Sequence, residues 1–395
     1  MKSLMGRARW LGAAATAGLL LALVPAAATA AQPVTVGAAG SAGTAGTTVT
    51  ARTVTVGWSA PVATVTPDGA KAYVGVVDND SGRTTVLKAV DTATGAITTR
   101  LTLSTTPWTY VGSLAVSPDG TRLYVAVGTS RLVTVDTADD TVVADVPIPD
   151  QPRPDGYVPG TIGSLVVAPD GTGVYLAQRG PEQRYGARPG RVLAYSTADR
   201  AFTASLDLAD FGVGSIVLRP NGQDAYVTTA AGLVHLAATP TSLTTVRTFT
   251  AGHGAGGSAV LSPDGSTLYG IGGSDSDYIV DTATDTVTSG FHFAPGHGSL
   301  RAPVISPDGR RLYVVSQNSG IMGPGTPFPT GPYYSSVILS YDTEAGALVP
   351  AEAVHPPSVG RTATLSLGPD GHTLYLAGDI SPTVTVRAGL DIITR

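Results

Sequence analysis

At 395 residues the chain is long enough to bury a substantial core, and its 49 glycines and 29 prolines stay below the level at which composition alone implies disorder. It has no cysteine, which excludes a disulfide framework, thiolate metal sites, a cysteine nucleophile and a lipid anchor through an N-terminal cysteine. A formal charge of −5 without any basic run argues against nucleic acid or anionic membrane surfaces as partners.

The chain opens with Lys2, Arg7 and Arg9, continues through the apolar run Leu11–Val24, and reaches small residues at Ala28, Thr29 and Ala30. That layout predicts a secretory signal peptide over 1–30, cut before Ala31; the run is short for a bilayer anchor. The mature protein is then expected to be secreted, extracellular or associated with the cell wall, with no stable membrane insertion. Residues 31–47, dominated by Ala, Gly, Ser and Thr, read as a flexible low-complexity leader.

The remainder, 48–395, reads as one domain built from a repeat. Pro-Asp/Asn-Gly begins at Pro67, Pro118, Pro169, Pro220, Pro263, Pro307 and Pro369, and six residues after each proline stands a tyrosine, from Tyr73 and Tyr124 through to Tyr375. Proline presets φ at the first turn position, and Asp and Gly accept the tight geometry that follows, so each copy joins two short β-branched strands as a hairpin. A third strand, such as Arg131–Val135, runs to Asp136-Thr137, and a fourth, such as Thr141–Asp145, closes the unit. Four antiparallel strands per roughly 40 to 60 residues is the period of a propeller blade. The sequence therefore predicts an all-β, seven-bladed β-propeller of four-stranded antiparallel blades.

The last copy shows only two strands after its turn, at 373–377 and 383–387. A surplus strand, Thr48–Val56, precedes the first turn, with the composition of a fourth strand. The N-terminal strand is accordingly expected to complete the seventh blade and close the ring. The repeated tyrosines read as core between blades, their hydroxyls needing partners if buried. The Asp-Thr pairs read as turn caps; calcium needs six to eight converging oxygens that single carboxylates on separate blades do not assemble.

The succession Ser-Pro-Asp-Gly, Leu-Tyr-Val, Val-Asp-Thr-Ala, clearest at Ser117–Val125, Ser262–Tyr269 and Ser306–Val314, resembles the YVTN-repeat β-propeller family. Blade four departs most, with Asn221 for Asp and Ala237-Ala238-Thr239 for Asp-Thr-Ala. The resemblance implies the propeller fold. Similar propellers include surface-layer modules, lactonase-like hydrolases, a lyase opening cyclic peptide antibiotics and an electron-transfer domain, and fold analogy does not choose among them.

The Pro-Asp-Gly turns occupy one face, while insertions collect on the other: Asp78–Gly82, Pro149–Gly160, Gln178–Gly190 and Ser316–Ser336. An elaborated face on a regular scaffold predicts recognition there. Ten residues before the turn prolines stand Trp108, Asp210, His253 and His297 among others, expected near the channel mouth with Trp58, Tyr110, Arg301, His355 and Arg361 as neighbours. Three chemistries remain open. His253 and His297 serve acid-base catalysis with Arg301 or Arg361 as electrostatic partner; or they bind a divalent metal with His355 or Asp210; or Trp58, Trp108, Tyr110, Asp210, Tyr333, Tyr334 and His355 hold a ligand without chemistry. The reading best supported is a secreted module recognising an extracellular small molecule, glycan or peptide, or a cell-envelope component. A lactonase-like hydrolase or lyase is the alternative. No cofactor is expected, with the divalent metal as the exception.

Overall fold

In the second and third strands of most repeats almost every residue is buried, as in Arg122–Val127 and Arg191–Ser196, whereas the fourth strands alternate or face solvent, as in Thr141–Pro147. Continuous apolar strands require cover on both faces. Radial stacking of blades supplies it. The computed structural model describes residues 34–36, 49–78, 82–107, 109–183, 186–250, 257–272, 277–290, 299–318, 335–356, 364–380 and 387–395.

The chain forms a seven-bladed propeller of four-stranded antiparallel blades. Blade one comprises Ser59–Val65, Lys71–Asp78, Thr84–Asp91 and Ile97–Ser104 from the channel outward, and the next five follow the same order. Blade seven is assembled from both ends of the chain: Thr364–Leu367, Thr373–Ile380 and Arg387–Thr394, then Val49–Gly57 as its fourth strand. Val34–Val36 pairs outside that strand as a fifth. The closing strand thus lies where the sequence predicts it; the third strand of the last blade runs over Arg387–Thr394, past the expected 383–387, of which 383–386 lie outside the described residues. It pairs along its whole length with Thr373–Ile380 and, from Ala388 on, with Val49–Gly57, more than 300 residues away in the chain.

The two turns on the lower face are tied to one another by a backbone bond in blades one to six. Gly120 has φ +75 and donates to the Ser117 carbonyl, while Asp119 accepts from Ser117 Oγ and the Thr121 amide. The threonine of each Asp-Thr pair donates to the turn glycine carbonyl of its own blade, as Thr92 does to Gly69, Thr137 to Gly120, Thr282 to Gly265 and Thr343 to Gly309. Aspartates 91, 136, 281 and 342 accept backbone amides two or three residues on. Turn capping is the observed role of these pairs. A neighbouring blade sits close behind: a Cβ at Gly69 would lie 3.1 Å from Pro369, across the seam between first and last blades. Hydroxyls stitch the inner strands, Ser164 Oγ to the Ile216 amide, Ser215 Oγ to Ala259, and Thr364 Oγ1 to Ala63 at that seam.

The turn carboxylates carry a pH dependence. Donation from the Ser262 hydroxyl and the Ser266 amide brings Asp264 down to about 2, and Asp68, Asp119 and Asp308 are lowered by the equivalent hydroxyl of their own turns. A carboxylate depressed in the folded state stabilises fully above its unfolded value of about 4 and loses that contribution as pH falls through the folded value. The melting temperature is therefore expected to stay level from pH 7 to 5 and to fall steadily between about pH 4 and 2 in calorimetry. A level profile down to pH 2 would refute the assignment.

The repeated tyrosines reach from one blade to the third-to-fourth turn of the next. Tyr73 donates to Asp140 at 2.5 Å, and Tyr226 to Asp285 at 2.6 Å. Burial opposes ionisation of Asp140, but Thr99, Tyr73 and Lys71 outweigh it and hold the carboxyl below its usual range. Under Tyr226 lies His235, stacked at 4.7 Å, with Nδ1 2.7 Å from Asp285 and Nε2 3.2 Å from Asp224. The third-to-fourth turn of blade four has no left-handed residue, and there the tyrosine of the preceding blade, Tyr175, is fully buried with its hydroxyl unpartnered. The irregular Ala237-Ala238-Thr239 segment therefore has a structural consequence one blade away.

Candidate functional site

The upper face of blade three carries a folded cap. Arg191 opens the third strand of that blade and is 4% exposed. Its Nε donates to Gln178 Oε1 at 2.8 Å, and its terminal nitrogens donate to the carbonyls of Pro149 and Asp150. Gln178 in turn donates to the Gly160 carbonyl, while Gln151 donates to the Arg179 carbonyl and accepts from the Gly160 amide, each at 2.9 Å. These three buried side chains satisfy backbone groups that an extended connection would otherwise leave open. The segment 149–160 is braced as a result.

The blade-three insertion packs onto that brace. Glu182–Gln183 pairs with Gly186–Ala187, and Val158 exchanges both backbone bonds with Glu182. Arg188 lies 5.6 Å over the Tyr157 ring, and the Tyr157 hydroxyl comes so near Gly186 that any Cβ there would stand 2.4 Å from it. Gly180 and Gly190 donate to the carbonyls of Phe211 and Asp210, joining the cap to the linker that enters blade four. A depression of about 450 Å³ opens among Asp150, Arg153, Asp155 and Tyr157. The cap presents Val158, 59% exposed, and the linker bonded to it presents Phe211, 41% exposed. A rigid patch that mixes apolar side chains, a cation-faced ring and charges suits recognition of a polymer surface.

The predicted site residues are distributed over this face and its surroundings. Trp58 follows the closing strand, its amide bonded to Val77 and its ring 5.2 Å under Arg83. Tyr110 precedes the inner strand of blade two, half-buried, and burial raises its phenol. The Asp210 carboxylate accepts the amides of Gly212 and Ala231, which places it in the bracing of the linker next to the cap. Arg301 lies on the inner strand of blade six, opposite Val315 and next to Ala302, whose φ is +52. His355 follows the bridge between Val354 and Ile338, which stands at the outer-strand position of blade six; burial lowers its imidazole. Trp108, His253, His297, Tyr333, Tyr334 and Arg361 lie outside the described residues. Among the described residues no three histidine, cysteine or carboxylate side chains are grouped to hold a metal.

Sequence reasoning located the cap segments and missed what holds them. Gln151, Gln178 and Arg191 match no motif. The signal available was an arginine heading a strand whose other residues are apolar or small, with glutamines on both inserted segments.

No family model matches the chain, and neither does any curated protein. Among solved structures the chain is similar to a functionally unknown protein from Desulfotomaculum acetoxidans DSM 771, at 15% identity and a TM-score of 0.56, covering 75% of this chain and 86% of that one. It is also matched by the hydrazine synthase of Kuenenia stuttgartiensis at 18% identity and a TM-score of 0.42, covering 82% of this chain and 75% of that one. The first likeness is one of fold.

Proposed function

We propose that this chain is an exported recognition module of the YVTN-repeat type, and that the braced cap on blade three engages a peptide or glycan of the cell envelope or extracellular space. The observation that carries the reading is the cap itself: a folded insertion held by buried Gln151, Gln178 and Arg191, presenting Val158 and Phe211 to solvent. Exposed apolar side chains on a rigid loop bind without the ordering cost a mobile loop would incur. The signal-peptide layout of 1–30 and the absence of cysteine fit export with stability supplied by the core.

The test is binding of the purified protein to isolated cell-wall material and to a glycan and peptide array. Val158→Asp with Phe211→Asp is expected to lower binding at least about tenfold while leaving the melting temperature within about 2 °C, since both side chains are surface-exposed. Undiminished binding would move the site off the cap. Turnover of lactones that is lost in a His253→Ala/His297→Ala protein would instead establish the hydrolase alternative.

A further inference from the structure

Three of the left-handed turn residues with side chains beyond glycine sit at one repeat position: Asp140, Arg200 and Asp285, with φ +57, +52 and +53. In two of these turns the residue is a carboxylate that fills the notch between blades. Asp140 accepts from Tyr73, Lys71 and Thr99; Asp285 accepts from Tyr226 and His235. In the third, between blades two and three, the same backbone carries an arginine. The donor from the preceding blade is retained there: Tyr124 stands where Tyr73 and Tyr226 stand, 5% exposed. Register places Thr134 opposite Tyr124 as it places His235 opposite Tyr226. What is missing is the acceptor.

The notch is open. A cavity of about 400 Å³ is lined there by Tyr124, Thr134, Tyr195, Arg122 and Arg200. Thr134 is 5% exposed and its Oγ1 has no hydrogen-bond partner, although it approaches the Tyr195 hydroxyl. Arg122 is already paired with Asp136 at 2.7 Å. The rim carboxylates Asp119 and Asp170 are bound to hydroxyls and amides of their own turns. Arg200 has no ion pair among the described residues. A buried hydroxyl is destabilising while it lacks a partner, and the guanidinium's N–H fork matches a carboxylate.

We infer that the notch between blades two and three is a binding site for a small organic carboxylate, which takes the place that Asp140 and Asp285 hold in the equivalent notches, with Arg200 as its cation and Tyr124 and Thr134 as hydrogen-bond donors. The cavity has room for the carboxylate and a few further heavy atoms. The site lies on the turn face, separate from the cap.

The experiment compares thermal unfolding of the full chain in sodium acetate, sodium L-aspartate and sodium phosphate against sodium chloride at equal ionic strength, with calorimetric titration of each anion. Acetate and L-aspartate are expected to raise the wild-type melting temperature by about 3 °C at saturation relative to chloride. Tyr124→Phe is expected to weaken the midpoint about tenfold. Arg200→Asp supplies the missing carboxylate internally; it is expected to melt higher than wild type in chloride and to show no further response to either carboxylate. Equal responses in wild type and Arg200→Asp, or no difference between the carboxylates and chloride, would overturn the proposal. A shift with phosphate and none with carboxylates would overturn it as well.

Discussion

Removal of residues 49–57 is expected to lower the melting temperature by more than 10 °C and to abolish the single cooperative unfolding transition. The strand supplies the fourth strand of blade seven, registered from Thr50 opposite Thr394 to Gly57 opposite Ala388. Val54 and Val56 pack with Val74, Val76 and Val86 of blade one, and Val49 and Ala51 pack on the opposite side with Tyr313 and Ile338 of blade six. One strand therefore contributes to the interfaces on both sides of the seam. Full burial of an aliphatic side chain contributes about 1.5–3 kcal/mol, so three valines account for on the order of 5–8 kcal/mol. Whole domains are stable by only about 5–15 kcal/mol.

Deletion also bares the strand Arg387–Thr394, six of whose eight residues are buried in the intact ring, and an apolar unpaired edge promotes association. Size-exclusion chromatography should show aggregates in the deleted protein that a synthetic 49–57 peptide reduces. Asp391 is completely buried and accepts from Thr53 at 2.5 Å, so Thr53→Val is the milder probe, expected to cost about 1.5–3 kcal/mol. An unchanged midpoint and a single transition in the deleted protein would show that the ring does not depend on its N-terminal strand.

Asp285→Ala is expected to destabilise by about 3–5 kcal/mol, because it strips two buried donors at once. Tyr226 and His235 both address that carboxylate, and Asp224 faces the other ring nitrogen. The His235 ring thus bridges the two carboxylates, and removing Asp285 leaves both the phenol and Nδ1 without their partner. Tyr226→Phe, which removes one donor and leaves the carboxylate to His235, is expected to cost about 1.5–3 kcal/mol. Tyr175→Phe occupies the equivalent position in blade three, where the hydroxyl has no acceptor, and is expected to be neutral or slightly stabilising. Denaturant unfolding of the three variants separates these outcomes. Comparable losses in Tyr226→Phe and Tyr175→Phe would mean that the tyrosines act through ring packing alone.

Much of the architecture was legible because a propeller writes the same short-range instructions seven times. A turn needs its proline, its aspartate or asparagine and its left-handed glycine within three residues, and these recur at Pro67 and its six counterparts whatever surrounds them. The closing strand was legible for a related reason: a one-strand deficit at one end and a surplus strand at the other admit one arithmetic solution. The described third strand of the last blade extends past the expected 383–387 because alternation alone sets no register until a partner strand is known.

The site was less legible. Asp210 stood out as a break in the repeat, and its carboxylate serves backbone amides of its own linker and of a hairpin in blade four. Nothing local marks Gln151 and Gln178 as partners across a single glycine. They meet because blade three folds its insertion back over its own entry loop.

By itself the sequence determined the fold, the number of blades, the face that carries the insertions and the way the ring closes, since each follows from local turn chemistry and counting. The tertiary structure alone decided which tyrosine meets a carboxylate, where one notch is left open, and which long loop is braced. Those outcomes depend on side chains brought together between blades, and blade contacts join positions whose separation in the chain carries no periodic signal.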